Sequence, residues 1–218
     1  MNLPKILYLS CHSTLEFDEL KLFTEMGIKC FSLGGAYADP HGNKLLPRPG
    51  IPEMEYYPDL EAKCRLFPRT EIPMEIIDEF DVIYCMHVPE ILDTNWKRFS
   101  KKKVIYRSIG QSNETIETML TPYRQQGLKI VRYSPKEKLI PNFAGEDAMI
   151  RFYKDPEEFK DWKGNTKQVI NVSQSLKGRA IFCHYQQIMD IMKDLPAKVY
   201  GSGNEDLGSL NGGDISYH

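Results

Sequence analysis

The stretch KILYLSCHSTLEFDELKLFTEMGIKCFSL, residues 5–33, decides the fold. It opens on KILYLSC (5–11), a short apolar run without alternation, as expected of a strand covered on both faces. Ser13 and Glu16 follow in capping-box spacing, so a helix starts there. Leu15, Leu22, Phe23 and Met26 make its apolar stripe, and Gly27 ends it. IKCFSL (28–33) reads as a second strand. A strand, a helix and a strand within about thirty residues is the crossover unit from which parallel sheets are built.

Working outward, the rhythm breaks over residues 34–73, where seven of the fourteen prolines fall. Proline fixes φ and removes a donor, so neither a regular helix nor a central strand is expected there, apart from a short helix near 59–65. So long a connection is usually functional, and this one is expected at the carboxyl edges of the strands. The alternation then resumes. A short helix (73–79) precedes DVIYCM (81–86), and a helix near 89–99 precedes KVIYRSI (103–109). Ser112 is placed to cap a helix with the stripe Ile116, Met119, Leu120 and Tyr123, which Pro122 should kink or restart and Gly127 should end. LKIVRY (128–133), a short helix (135–140) and AMIRFY (148–153) complete six strands. The expectation is α/β, a Rossmann-like doubly wound parallel sheet.

KDPEEFKDWKGN (154–165) reads as a linker, after which β-α-β begins again. QVINV (168–172) is a strand, Ile181, Tyr185, Ile188, Met189 and Met192 form one helical stripe, and AKVY (197–200) is a strand running into Gly201-Ser202-Gly203. A lone β-α-β unit cannot cover both faces of its sheet, so this second part is expected to be incomplete. The domains expected are residues 1–160 and 161–218.

Composition removes whole classes. With 28 Lys+Arg against 30 Asp+Glu and 41% hydrophobic residues, the chain has the balance of a globular protein. A net charge of −2 gives no global attraction to nucleic acid or to an anionic membrane. No apolar window approaches the ~18 residues of a membrane span. The N-terminal apolar run is shorter than a secretory h-region, so a cytoplasmic protein is expected. Five scattered cysteines without a C-x-x-C pair argue for free thiols in a reducing compartment. Metal-ligand, Asp-x-Asp and Gly-x-Ser-x-Gly patterns are missing, so no metal is expected.

DVIYCMH (81–87), IPNFAGEDAMIRFYKDPEEF (140–159), VINVSQSLKGR (169–179) and KVYGSG (198–203) together resemble GT-B fold glycosyltransferases, with the family-4-type retaining enzymes as the best match. The resemblance implies an acceptor-side N-terminal domain and a C-terminal domain for the nucleotide-diphosphate sugar, with reaction in the cleft between them. It implies transfer of the sugar to an acceptor hydroxyl of a glycan, lipid or small molecule, and no metal on the diphosphate. Lys177-Gly178 fits the Lys-Gly pair that contacts the donor diphosphate in such families, while Gln174 stands where they usually carry an Arg. The acidic motif that holds the donor sugar is expected beyond residue 218, so the 218 residues should bind donor weakly and not turn over. The alternatives are a non-catalytic binding module that keeps the Rossmann-like half, and a sugar-nucleotide epimerase of the same plan.

The candidate residues follow from both readings. His87 and His12 end strands, at the edge where α/β ligands bind, and are the catalytic candidates. Lys177, Arg179, Gly201 and Gly203 are the candidates for the donor phosphates. Arg107 and Gln111 flank Gly110 after a strand, and Arg107 either points into the cleft or pairs with a buried acid. Lys97, Arg98, Lys101, Lys102 and Lys103 read as a solvated turn.

Overall fold

A computed structural model describes residues 3–10, 13–32, 71–110, 112–153, 156–160, 164, 169–173, 175–195, 197–200 and 203. The expected helix near 59–65, the placement of residues 34–70, His12 and Gly201 lie outside these residues. The chain divides into two units, residues 1–154 and 155–218.

In the first unit, β1 (Lys5–Ser10), α1 (Ser13–Glu25) and β2 (Lys29–Ser32) form as the opening stretch predicts. They are followed by α2 (Met74–Ile77), β3 (Val82–Met86), α3 (Glu90–Asn95), β4 (Lys103–Arg107), α4 (Glu114–Gln125), β5 (Lys129–Arg132) and β6 (Ala148–Met149). The six strands form one sheet in the order β2-β1-β3-β4-β5-β6, and every pairing is parallel. From β1 the chain steps to β2 on one side and later to β3 on the other. That reversal puts helices on both faces, and it falls at the carboxyl ends of β1 and β3, where sheets of this kind bind ligands.

The alternation of side chains explains the two layers. Leu7, Leu9, Ile83, Cys85, Val104, Tyr106 and Ile130 point to one face and meet Ile77, Ile91, Leu92 and Leu120 from α2, α3 and α4. Ile6, Tyr8, Val82, Tyr84 and Met86 point to the other and meet Leu20 of α1, with Leu15 and Phe23 packed beside it. Every residue of β3 is buried, so the strand reads apolar throughout rather than alternating. Met26, counted in the α1 stripe, lies past the helix end and is exposed.

Three local expectations are corrected. Asn113, not Ser112, caps α4: its side chain accepts from the Ile116 N–H at 3.0 Å, while the Ser112 hydroxyl donates to Glu117. Pro122 does not interrupt α4, which runs unbroken from Glu114 to Gln125. The proline stands nine residues into the helix by number, where the only bond it forfeits is its own to residue 118, and Thr118 turns its hydroxyl to the Glu114 carbonyl at 2.8 Å. The strand expected over 148–153 pairs only at Ala148 and Met149, after which Ile150 N–H donates to Arg132 O at 2.8 Å and the chain leaves the edge.

In the second unit, β7 (Val169–Val172) and β8 (Ala197–Tyr200) pair in parallel around α5 (Ala180–Cys183) and α6 (Tyr185–Met192). Leu176, Met192 and Val199 form its buried core. The single helix expected over 181–192 is two, because His184 takes a left-handed conformation at φ 52° and breaks it. No helix among the described residues is long and apolar enough to cross a membrane.

Candidate functional site

The carboxyl edge of the six-stranded sheet is built on a buried ion pair. Arg107 is the last residue of β4, and its side chain points to the α1 face. It is 0% exposed. Its Nε donates to Glu19 Oε1 at 3.0 Å, and its Nη1 donates to the Arg132 carbonyl at 3.0 Å. Glu19 is buried on α1, and its second oxygen accepts from the Tyr8 hydroxyl at 2.7 Å. The sequence left Arg107 between the cleft and a buried acid, and the acid is Glu19. Phe152 lies over the guanidinium, with its ring centroid 4.8 Å from the central carbon, and stacks on Tyr133 at 4.7 Å. The remaining nitrogen, Nη2, has no hydrogen-bond acceptor among the described residues. Tyr84 stacks on Tyr8 at 4.9 Å, and burial, then the Glu19 carboxylate, push its phenol well above the ordinary value.

His87 stands directly on that floor. It follows β3 and is half-buried, and its backbone N–H donates to the Arg107 carbonyl at 3.0 Å. Its φ is 64°, a left-handed conformation that side-chain-bearing residues rarely adopt. Strain of this kind persists only where the surroundings hold it, and it gathers at functional sites. Here the holder is the chain of bonds from His87 N–H to Arg107 to Glu19 and Tyr8. Gly110, at φ 80°, turns the neighbouring loop, and a Cβ there would lie 2.8 Å from Tyr133 Cδ1. Glycine is required there on both counts.

A second buried network fixes the loops after β4 and β5. Arg132 is 0% exposed and binds Glu117 through two parallel bonds, each 2.7 Å. It also contacts Glu137 at 3.3 Å and the Gly145 carbonyl at 3.0 Å. Glu117 further accepts from the Ala144 N–H at 2.8 Å and from the Ser112 hydroxyl. Burial by itself raises the Glu117 carboxyl, but the Arg132 guanidinium, the Ala144 N–H and the Ser112 hydroxyl outweigh it and hold the group below its usual range. Glu137 Oε1 accepts from the backbone N–H groups of Tyr133 and Ser134, both at 3.0 Å. The network was not read from the sequence. Its only signal was an arginine at the last position of β5.

In the second unit, the loops after β7 and β8 meet at Ser175. That residue is left-handed, at φ 48°. A Cβ on Gly178 would overlap its Oγ, and a Cβ on Gly203, itself at φ 77°, would lie 3.1 Å from its Cβ and 3.3 Å from its Cα. Two glycines therefore let two loops close on one serine. Leu176 anchors the turn, buried in the core of the unit. Lys177 and Arg179 leave it exposed, one on each side of Gly178. The turn is closed by Arg179 N–H to Ser175 O at 2.9 Å. Two cationic side chains around a tight glycine turn at strand ends make an arrangement suited to an anion.

The candidates thus fall in two places. His87 is at the carboxyl edge of the first unit, and Lys177, Arg179 and Gly203 are at that of the second. Among the described residues, no three His, Cys, Asp or Glu side chains gather to hold a metal ion. No protein-family model matches the chain, and no curated protein matches it in sequence.

Proposed function

We propose that the chain is part of a GT-B type glycosyltransferase, which moves a sugar from a nucleotide diphosphate to an acceptor hydroxyl. The observation that carries this reading is the closure of the Ser175–Arg179 turn against Gly203 at the ends of β7 and β8, with Lys177 and Arg179 on its rim. In this reading Lys177 and Arg179 neutralise the departing diphosphate, the term that limits the reaction, because the leaving group gathers charge as the sugar departs. In this reading the two cations do the work that a metal does on the diphosphate in other transferases. His87 is the acceptor-side residue, fixed by the Arg107–Glu19 pair and assigned to the hydroxyl that attacks.

Titration calorimetry with UDP-, GDP- and ADP-sugars tests the donor assignment. An exposed lysine is a point charge worth ~0–1 kcal/mol, whereas millimolar affinity needs about 4 kcal/mol. Weak, saturable binding to one nucleotide class is therefore expected, loosened up to about fivefold by Lys177→Ala. Binding that is indifferent to both Lys177→Ala and Arg179→Ala would place the nucleotide elsewhere and refute the assignment.

A further inference from the structure

The opposite edge of the six-stranded sheet carries a surface that the sequence does not announce. Four of the six strands begin on a lysine: Lys5, Lys29, Lys103 and Lys129. A parallel sheet brings all strand starts to one edge, ~4.8 Å apart from strand to strand. Residues far apart in sequence thereby become one row. The register sets Lys5 beside Lys29, and Lys103 one strand beyond Val82. The turns after α3 add Lys97 and Lys101 at the same edge, because a crossover helix runs back toward the strand starts.

Acids stand at this edge too, with Asp78, Glu79 and Asp81 exposed just before β3. Asp81 accepts from the Lys5 N–H at 2.9 Å, Asp78 lies 3.9 Å from Lys102, and Asp147 holds Lys129 at 3.2 Å together with Arg124. Lys29, Lys97, Lys101 and Lys103 are exposed and have no ion-pair partner among the described residues. Two apolar side chains stand among them. Leu3, just before β1, is 54% exposed, and Met26, just after α1, is 58% exposed. Leu3 Cδ1 comes within 3.6 Å of the place a Cβ would take at Gly27, so the two sites are neighbours.

We propose that this amino edge is a docking surface for a membrane leaflet rich in anionic lipid. Phosphate headgroups take the row of lysines, and Leu3 and Met26 enter the interface beside them. A nucleic acid or an acidic peptide would engage the charges but leaves the apolar pair without a role. The chain's overall charge of −2 does not oppose this, because charges more than ~8 Å apart are screened at physiological salt. The edge lies at the far end of the strands from His87, so docking leaves the carboxyl edge open. The proposal stands whether or not the chain is a glycosyltransferase.

Sedimentation with vesicles of phosphatidylcholine alone, and of phosphatidylcholine with phosphatidylglycerol, tests it. The chain is expected to sediment with the anionic vesicles only. Each lysine near such a surface contributes about fivefold, so Lys29→Gln/Lys101→Gln/Lys103→Gln should weaken partitioning by about 100-fold. Leu3→Ser/Met26→Ser should abolish the binding that survives high salt. All five positions are exposed, and circular dichroism confirms that the variants fold. Failure to sediment with either vesicle, equal sedimentation with both, or an unchanged triple variant overturns the proposal. So does tighter retention on a nucleic-acid homopolymer that is indifferent to Leu3→Ser/Met26→Ser.

Discussion

Glu117→Gln isolates the buried network that fixes the carboxyl-edge loops. Glu117 and Arg132 are both 0% exposed, and two 2.7 Å bonds join them. The amide keeps one acceptor but turns an NH₂ group toward a guanidinium and leaves that cation short of a counter-charge. Breaking a buried pair costs about 3–5 kcal/mol, and Glu137 at 3.3 Å from Arg132 remains as partial compensation, so ~3 kcal/mol is expected. For a chain of this size that is a fall of ~6–12 °C in the midpoint. Urea unfolding reports it through Trp96, whose indole N–H donates to Gln126 at 2.8 Å and whose ring lies 5.0 Å from Tyr123 of α4. The pH dependence has a fixed sign. The folded-state value of Glu117 lies below its unfolded one, so its stabilisation is complete above the ordinary carboxylate value of ~4.3 and fades as pH falls through the lower folded value. The gap between wild type and variant should therefore be full at neutral pH and should close in acid. A loss under ~1 kcal/mol, or a gap that does not change with pH, would refute the account of the network.

Other outcomes follow from single contacts. Leu120→Ala empties a fully buried position between α4 and the sheet and should cost ~2–5 kcal/mol, read by the same urea titration. Asn113→Ala removes the α4 cap and should cost ~1 kcal/mol, whereas Ser112→Ala should leave helix capping intact. Burial pushes the Cys85 thiol far above its usual value and, with the Glu19 charge added, pushes Cys30 up to about 12. Mass spectrometry after alkylation at neutral pH should therefore find Cys30 modified slowly, and Cys85 modified only after denaturation.

The opening strand, helix and strand were legible because each element carries its own period and stop signal. So were the six parallel strands, since an apolar run bounded by helices has few other places to go. The broken helix at His184 was not legible: the apolar stripe runs through it, and only the local backbone shows the left-handed turn. The partners in the ion pairs were invisible for another reason. Glu19 and Arg107 are 88 residues apart, and nothing in either neighbourhood names the other. The row of lysines at the amino edge has the same character, since its members are far apart in sequence and only the parallel register aligns them. At the candidate site, His87 was chosen by its place after a strand and Lys177-Gly178 by the family resemblance. Ser175 was missed, because a serine carries no signal that two glycines close upon it.

The claim that the second unit receives a nucleotide diphosphate is tested most directly by amide chemical shifts. Under titration with a UDP-, GDP- or ADP-sugar, the backbone N–H signals of Gly178, Arg179 and Gly203 should move first and together, and Lys177→Ala should shift the titration to higher ligand. Shifts confined to the first unit, or none at the turn for any donor, would contradict the account.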